Sequence, residues 1–301
     1  MSGVINRPPP ALAKTLAGFA WAGLAASIFA GWFVVTRFSV THDLRIWDIT
    51  LLRFAGGGIV LLPVLIIRRH HLPPKAWRTG LGLAALWGVP FVVFVALGLR
   101  LTSAGQAAAV TPCMMPVFAG LFRWMVWAQR PTRLLGLGYA SIVAGVTLMQ
   151  AYGVYLGHGF HPVGLACLLA SSALWAVYTM RFPMSGLTPI QAAAMVCVWS
   201  AIIYTPVFFA SGISRLGTAS LQEVALQLIY QGFLMSVVAV IALNRAITVL
   251  GAGAATAVIS LIPVIATLMA IPVLGEVPPP VNIFGIAMIT AGVLLAIKRR
   301  A

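Results

Sequence analysis

Ser171, Trp175 and Tyr178 are spaced by four and three residues, so on a helix they share one face and set a hydroxyl beside two aromatic rings. Phe29 and Trp32, three apart, share a face of an earlier segment. Gln106, Thr111 and Cys113, and further on Ser260, place uncharged hydrogen-bonding groups in apolar stretches, and Arg53 places a cation in one. Such a set can enclose and orient a small organic molecule, and the forked donors of Arg53 suit a carboxylate. The alternatives are packing or an interfacial belt for the aromatics. For Arg53 they are an interhelical bond, or an anchor whose long stem carries the charge to the headgroups. Arg123 reads as an anchor.

Bond-making chemistry has no comparable foothold. H-E-x-x-H, G-x-S-x-G and G-x-x-x-x-G-K-[ST] are all missing from the sequence, so zinc proteolysis, the common hydrolase elbow and P-loop ATP hydrolysis lack support. No catalytic residue, cofactor or metal is expected. His158 and His161 lie in a Gly-rich stretch without a neighbouring carboxylate or Cys and read as a solvated loop. His70 and His71 belong to a basic loop with Arg68 and Arg69. Cys113, Cys167 and Cys197 are an odd number inside apolar runs, which argues against a disulfide framework. Asp48, the acid nearest a span interior, reads as a helix N-terminal residue.

The elements that must position these groups follow from composition. Of 301 residues 61% are hydrophobic and 8% charged, against about half and a quarter in soluble domains. The net charge of +15 comes from single basic residues between long apolar runs, a distribution unsuited to nucleic acid. Residues 15–36, 79–99, 101–122, 224–244 and 277–297 are uncharged and long enough to cross a bilayer, as is 49–67 apart from Arg53. The interval 134–180 is divided at Tyr152–Pro162 into two helices, while 182–214 and 246–275 hold one each. The expectation is an all-α integral membrane protein of ten transmembrane helices. Residues 1–14 and 298–301 form short cytoplasmic tails, and the first apolar run is a retained helix.

Placing both termini in the cytoplasm puts thirteen Lys and Arg residues on inner segments and Asp43, Asp48, Glu223 and Glu276 at the outer side, as the positive-inside rule requires. Prolines at 90, 112, 116 and 263 remove amide donors within spans, which makes Pro90, Pro116 and Pro263 hinge candidates. Ala140, Ala144, Ala287 and Ala291 have small-x-x-x-small spacing, which suits close helix packing, including packing between subunits of a homodimer.

A shift of 147 residues aligns Ala104–Met149 with Gly251–Ala296 without a gap, with 15 of 46 positions identical. Pro116-Val117 meets Pro263-Val264, Gly138 meets Gly285, and Ala144-Gly145-Val146 meets Ala291-Gly292-Val293. With one residue of slippage Ala96-Leu97 falls on Ala242-Leu243, Phe29 on Trp175 and Trp32 on Tyr178. Repeats at 15–154 and 162–297 would hold five helices each, and an odd number inverts the second copy. Inverted repeats with a site at their interface are a construction of secondary transporters.

Those paired stretches, with Leu274-Gly275-Glu276 and Arg53, resemble the EamA-type branch of the drug/metabolite transporter superfamily. Gln129 stands where that family often has Glu, whereas Glu276 keeps it. The resemblance implies a carrier of the inner (plasma) membrane that exports a small metabolite such as an amino acid. A drug or toxic-cation efflux carrier is the alternative within the class, weakened by the lack of a carboxylate in the middle of any span. A channel or a non-transporting membrane protein is the alternative outside it. The orientation predicts that a Cys introduced beside Arg69 stays unlabelled when intact cells meet a membrane-impermeant thiol reagent, and rapid labelling would reverse the topology.

Overall fold

The computed structural model describes residues 12–67, 72–155 and 161–297. Residues 1–11 and 298–301 of the two tails, Arg68 to His71, and His158 lie outside the described residues; α1 starts at Leu12, so residues 12–14 are helix rather than tail. Everything described is helix or short connection. The reason is the solvent: hydrocarbon offers no partner to a backbone N–H or C=O, so each span must satisfy its own.

We number the helices by crossing: α1 Leu12–Thr41, α2 Ile46–Ile67, α3 Ala76–Leu101, α4 Ala104–Trp127, α5 Arg133–Tyr155, α6 Pro162–Arg181, α7 Pro189–Ser211, α8 Leu221–Leu250, α9 in two pieces, Ala252–Ile259 and Ile262–Leu274, and α10 Pro280–Ile297. Among the described residues nine helices are long and apolar enough to cross a membrane, α9 counting through its Ala257–Leu274 stretch. The apolar part of α10, Pro280–Ala296, is shorter, because prolines 278 to 280 delay its start. Helices also run past the first charge at their ends. Arg37 lies in α1 and Arg100 in α3 rather than in the outer loops that charge counting assigns them.

Three crossings are irregular. α3 breaks at Gly88, two residues before Pro90. α8 widens into a π-helix over Leu228–Val238, and α9 breaks at Ser260 and Leu261 just before Pro263. Pro90 and Pro263 therefore stand at breaks. Pro116, the repeat partner of Pro263, lies inside an unbroken α4 together with Pro112, so the helix break occurs at this repeat position in one copy only.

The tightest helix pair is α5 with α10. A Cβ on Gly138 would lie 2.7 Å from the Gly292 carbonyl, and one on Gly145 would lie 2.7 Å from the Gly285 carbonyl. The hydroxyl of Ser141 donates to the carbonyl of its own repeat partner, Met288, at 2.8 Å. Exchanging each residue for its counterpart 147 positions away maps the two glycine contacts onto each other, so the antiparallel helices are related by a local two-fold axis, whereas the Ser141 bond has no converse because Met288 lacks a side-chain donor. Glycines rather than the expected alanines make the close approach: Ala144, Ala287 and Ala291 face outward. Ala140 and Ala144 instead line a furrow of about 680 Å³ on the outer face of α5. Gly145→Leu is expected to cost about 1–3 kcal/mol through overpacking, read as a lower melting temperature in detergent, whereas Ala144→Leu on the outward face leaves it near the parent value.

Candidate functional site

Arg53 is the residue from which the centre of the bundle is built. It is only 4% exposed, so it does not reach a headgroup, and the anchor reading is corrected. The reason is position: glycines 56 and 57, one turn further along α2, let α8 press in at Gly232, where an added Cβ would lie 3.2 Å from the Gly56 backbone. That approach closes over the guanidinium. Arg53 Nη1 donates to Gln231 Oε1 at 3.1 Å, and its Cζ lies 5.0 Å from the centre of the Trp32 ring. Trp32 Nε1 donates to the same Gln231 oxygen at 2.7 Å. Among the described residues the only ion pair is elsewhere, so no carboxylate balances this cation.

Gln231 passes the network on. Its amide donates to Thr36 Oγ1 at 2.9 Å and to Gln227 Oε1 at 3.0 Å, and Gln227 Nε2 donates to Ser39 Oγ at 2.8 Å and to the Val35 carbonyl at 2.9 Å. Glu223, Gln227 and Gln231 are four apart, which places them on one face of α8. They form a polar seam toward α1, and Glu223 Oε1 at its end is buried without a partner.

The aromatic set is larger than the sequence pattern suggests. Trp32 stacks on Phe91 at 6.0 Å, and Phe91 meets Trp87 and Trp175 at 5.9 Å each. Trp87 then stacks on Tyr178 at 4.9 Å. Trp32, Trp175 and Tyr178 are thus joined, but through Trp87 and Phe91, two residues of α3 on either side of its break that helical spacing did not single out. The signal that could have found them is Trp-Gly-x-Pro at residues 87–90, an aromatic beside a backbone break. Phe29 is packed in the hydrophobic core.

The polar candidates divide. Thr111 and Ser171 face each other at 3.3 Å between α4 and α6, fully buried, as a helix-to-helix bond. Gln106 is spent elsewhere: Gln106 and Ser103 cap the start of α4 reciprocally. Ser260 donates to the Ala257 carbonyl at the break in α9. His161 caps α6, Arg123 is exposed, and the three Cys are free and buried.

Beside Arg53 lies a void of about 10 Å³, lined also by Trp87, Cys197, Met235 and Ser236. It is at the lower limit for a single water. Trp87, one of its lining residues, has its Nε1 buried without a hydrogen-bond partner. Its lining residues thus include an arginine, a tryptophan with an unpartnered N–H, a thiol and a hydroxyl, and no Asp or Glu.

At the Thr41 end of α1 the bundle is tied shut. Arg37 Nε donates to Glu276 Oε1 at 2.9 Å, and Arg37 Nη1 donates to the carbonyls of Leu99 at 2.6 Å and Arg100 at 3.0 Å. The second oxygen of Glu276 accepts from the Ala104 amide at 2.8 Å. Four elements from both repeats meet there. The repeat counterpart of Glu276 at the opposite end is Gln129, which is exposed.

The chain resembles known proteins along nearly its whole length. A protein of known crystal structure superposes with a TM-score of 0.61 at 20% identity, over 94% of this chain and 96% of the other, which establishes a shared fold. The uncharacterized transporter YwfM of Bacillus subtilis is 25% identical over 242 residues, 80% of each chain. A probable terminal-alkyne amino-acid exporter of Streptantibioticus cattleyicolor is 25% identical over 234 residues, 77% of this chain and 75% of its own. The family model described as EamA-like transporter matches twice, over residues 16–150 and 162–298, the same two halves that the internal alignment and the α5–α10 two-fold relate. The protein belongs to the EamA-like transporter family and is an integral membrane transporter.

Proposed function

We propose that this transporter moves a small metabolite bearing a carboxylate, an amino acid or a close relative, out of the cell by alternating access. The observation that carries this reading is the buried Arg53, without a carboxylate partner, lining a void with Trp87, whose N–H is unpartnered. A cation isolated from water in a bilayer is costly unless an anion or several acceptors attend it. An incoming carboxylate supplies both. The amino-acid exporter among the relatives agrees in substrate class. Lipophilic cations fit less well, because Arg53 would repel them from the aromatic wall despite its attractive faces.

Alternating access accounts for the closed centre. The void is far smaller than a metabolite pocket, so binding requires helices to move, and the irregular points at Gly88, Leu228–Val238 and Ser260 are where the backbone can yield. With the termini cytoplasmic, the Arg37–Glu276 tie closes the external end, and its counterpart position carries only Gln129. The setting is the inner membrane, with the outward faces of α5 and α10 available to lipid or to a second subunit.

Proteoliposomes tested with each standard L-amino acid and its methyl ester are expected to show saturable flux for one or more free acids and none for the matching esters. Arg53→Gln is expected to lower the apparent affinity about 10–100-fold, the loss of a charged hydrogen bond. Flux of esters and acids alike, or of lipophilic cations alone, would refute the substrate class. The tie is tested in a background lacking Cys113, Cys167 and Cys197: Glu276→Gln is expected to speed labelling of Ser39→Cys by an impermeant thiol reagent several-fold from the outside. An unchanged rate would make the ion pair a surface contact without a gating role.

A further inference from the structure

We propose that Gln231 is an internal stand-in for the substrate's carboxylate: it occupies Arg53 while the carrier is empty and must withdraw when substrate binds. This inference rests on the reading of Arg53 as the carboxylate site. Trp32 Nε1 and Arg53 Nη1 can only donate, so the Gln231 atom they share must be the amide oxygen. One neutral oxygen thus takes two donors, the arrangement in which a carboxylate oxygen would sit. The other end of the amide is held by Thr36 and Gln227, so the oxygen cannot swing away while the seam is closed.

The backbone provides the means of withdrawal. Gln231 belongs to the π-helical stretch Leu228–Val238, and Ser236 Oγ donates to the Gln231 carbonyl at 3.0 Å, five residues back. A π-turn holds one residue more than an α-turn. Relaxing it into α-helix moves the side chain around the axis by about 100°, which takes the amide off Arg53 and parts the seam toward Ser39. Substrate then exchanges for the amide instead of entering beside it, and the cation is never left without an acceptor.

Competition of this kind makes opposite predictions for two substitutions. In purified protein, thermal stability is measured with each standard L-amino acid and its methyl ester as the probe. Gln231→Ala is expected to melt lower when empty, because Arg53 and Trp32 lose their acceptor, yet to bind the stabilising amino acid about tenfold more tightly. Gln231→Glu, a permanent internal carboxylate, is expected to melt at or above the parent and to lose the amino-acid response. Gln231→Asn, too short to reach Arg53, should follow alanine and serves if the alanine variant does not fold. Loss of binding in Ala, Asn and Glu variants alike, or retention in all three, would overturn the stand-in role while leaving the Arg53 site intact. If no free acid stabilises the parent protein more than its ester, the underlying reading of Arg53 fails instead.

Discussion

An arginine sealed inside a membrane protein cannot shed its charge, and water is not at hand to solvate it. Arg53 meets that constraint with an aromatic face, one amide oxygen and a small void, and with no carboxylate. Much of the surrounding architecture serves this arrangement. The glycines of α2 and α8 bring the two helices close enough to cover the cation. The π-turn aims Gln231 at it, and Trp32 both stacks on the guanidinium and shares its acceptor. A permanent acid in place of Gln231 would solve the electrostatic problem too well, leaving a stable internal pair with no use for an anionic ligand.

Symmetry supplies the frame, and the two copies depart from it at identifiable points. The glycine contacts of α5 and α10 repeat themselves about a two-fold axis. Yet α9 breaks where α4 is continuous, and Glu276 ties one end while Gln129 stands exposed at the other. Two identical halves would make the two end states equal in energy. Under the proposed alternation, differences of this kind would bias the equilibrium toward one of them, and a ligand could move it only by binding the states unequally.

The voids fit the same picture. The larger one lies on the outer face of α5, bordered by residues of that helix alone, where lipid or a neighbouring subunit would lie. The polar one is nearly closed. Depth, polarity and an unsatisfied donor distinguish a site from a furrow, and volume does not.

Much of the fold was legible in the chain because hydrocarbon is an unforgiving solvent. Apolar run length located the helices, although several run past the charges that bound those runs, and the 147-residue repeat exposed the two halves without any knowledge of their packing. Arg53, Trp32, Trp175 and Tyr178 stood out for the same reason, since polar and aromatic groups are conspicuous against an aliphatic background. What each touches was decided only in three dimensions. Trp87 and Phe91 entered the site because α3 breaks between them. Gln106, promising by composition, was taken by a helix cap. Gln231 and Glu276 acquired partners 178 and 239 residues away, Arg53 and Arg37. Periodicity reports which face of a helix a residue occupies, and the pairing of faces depends on glycine contacts and backbone irregularities that no local pattern encodes.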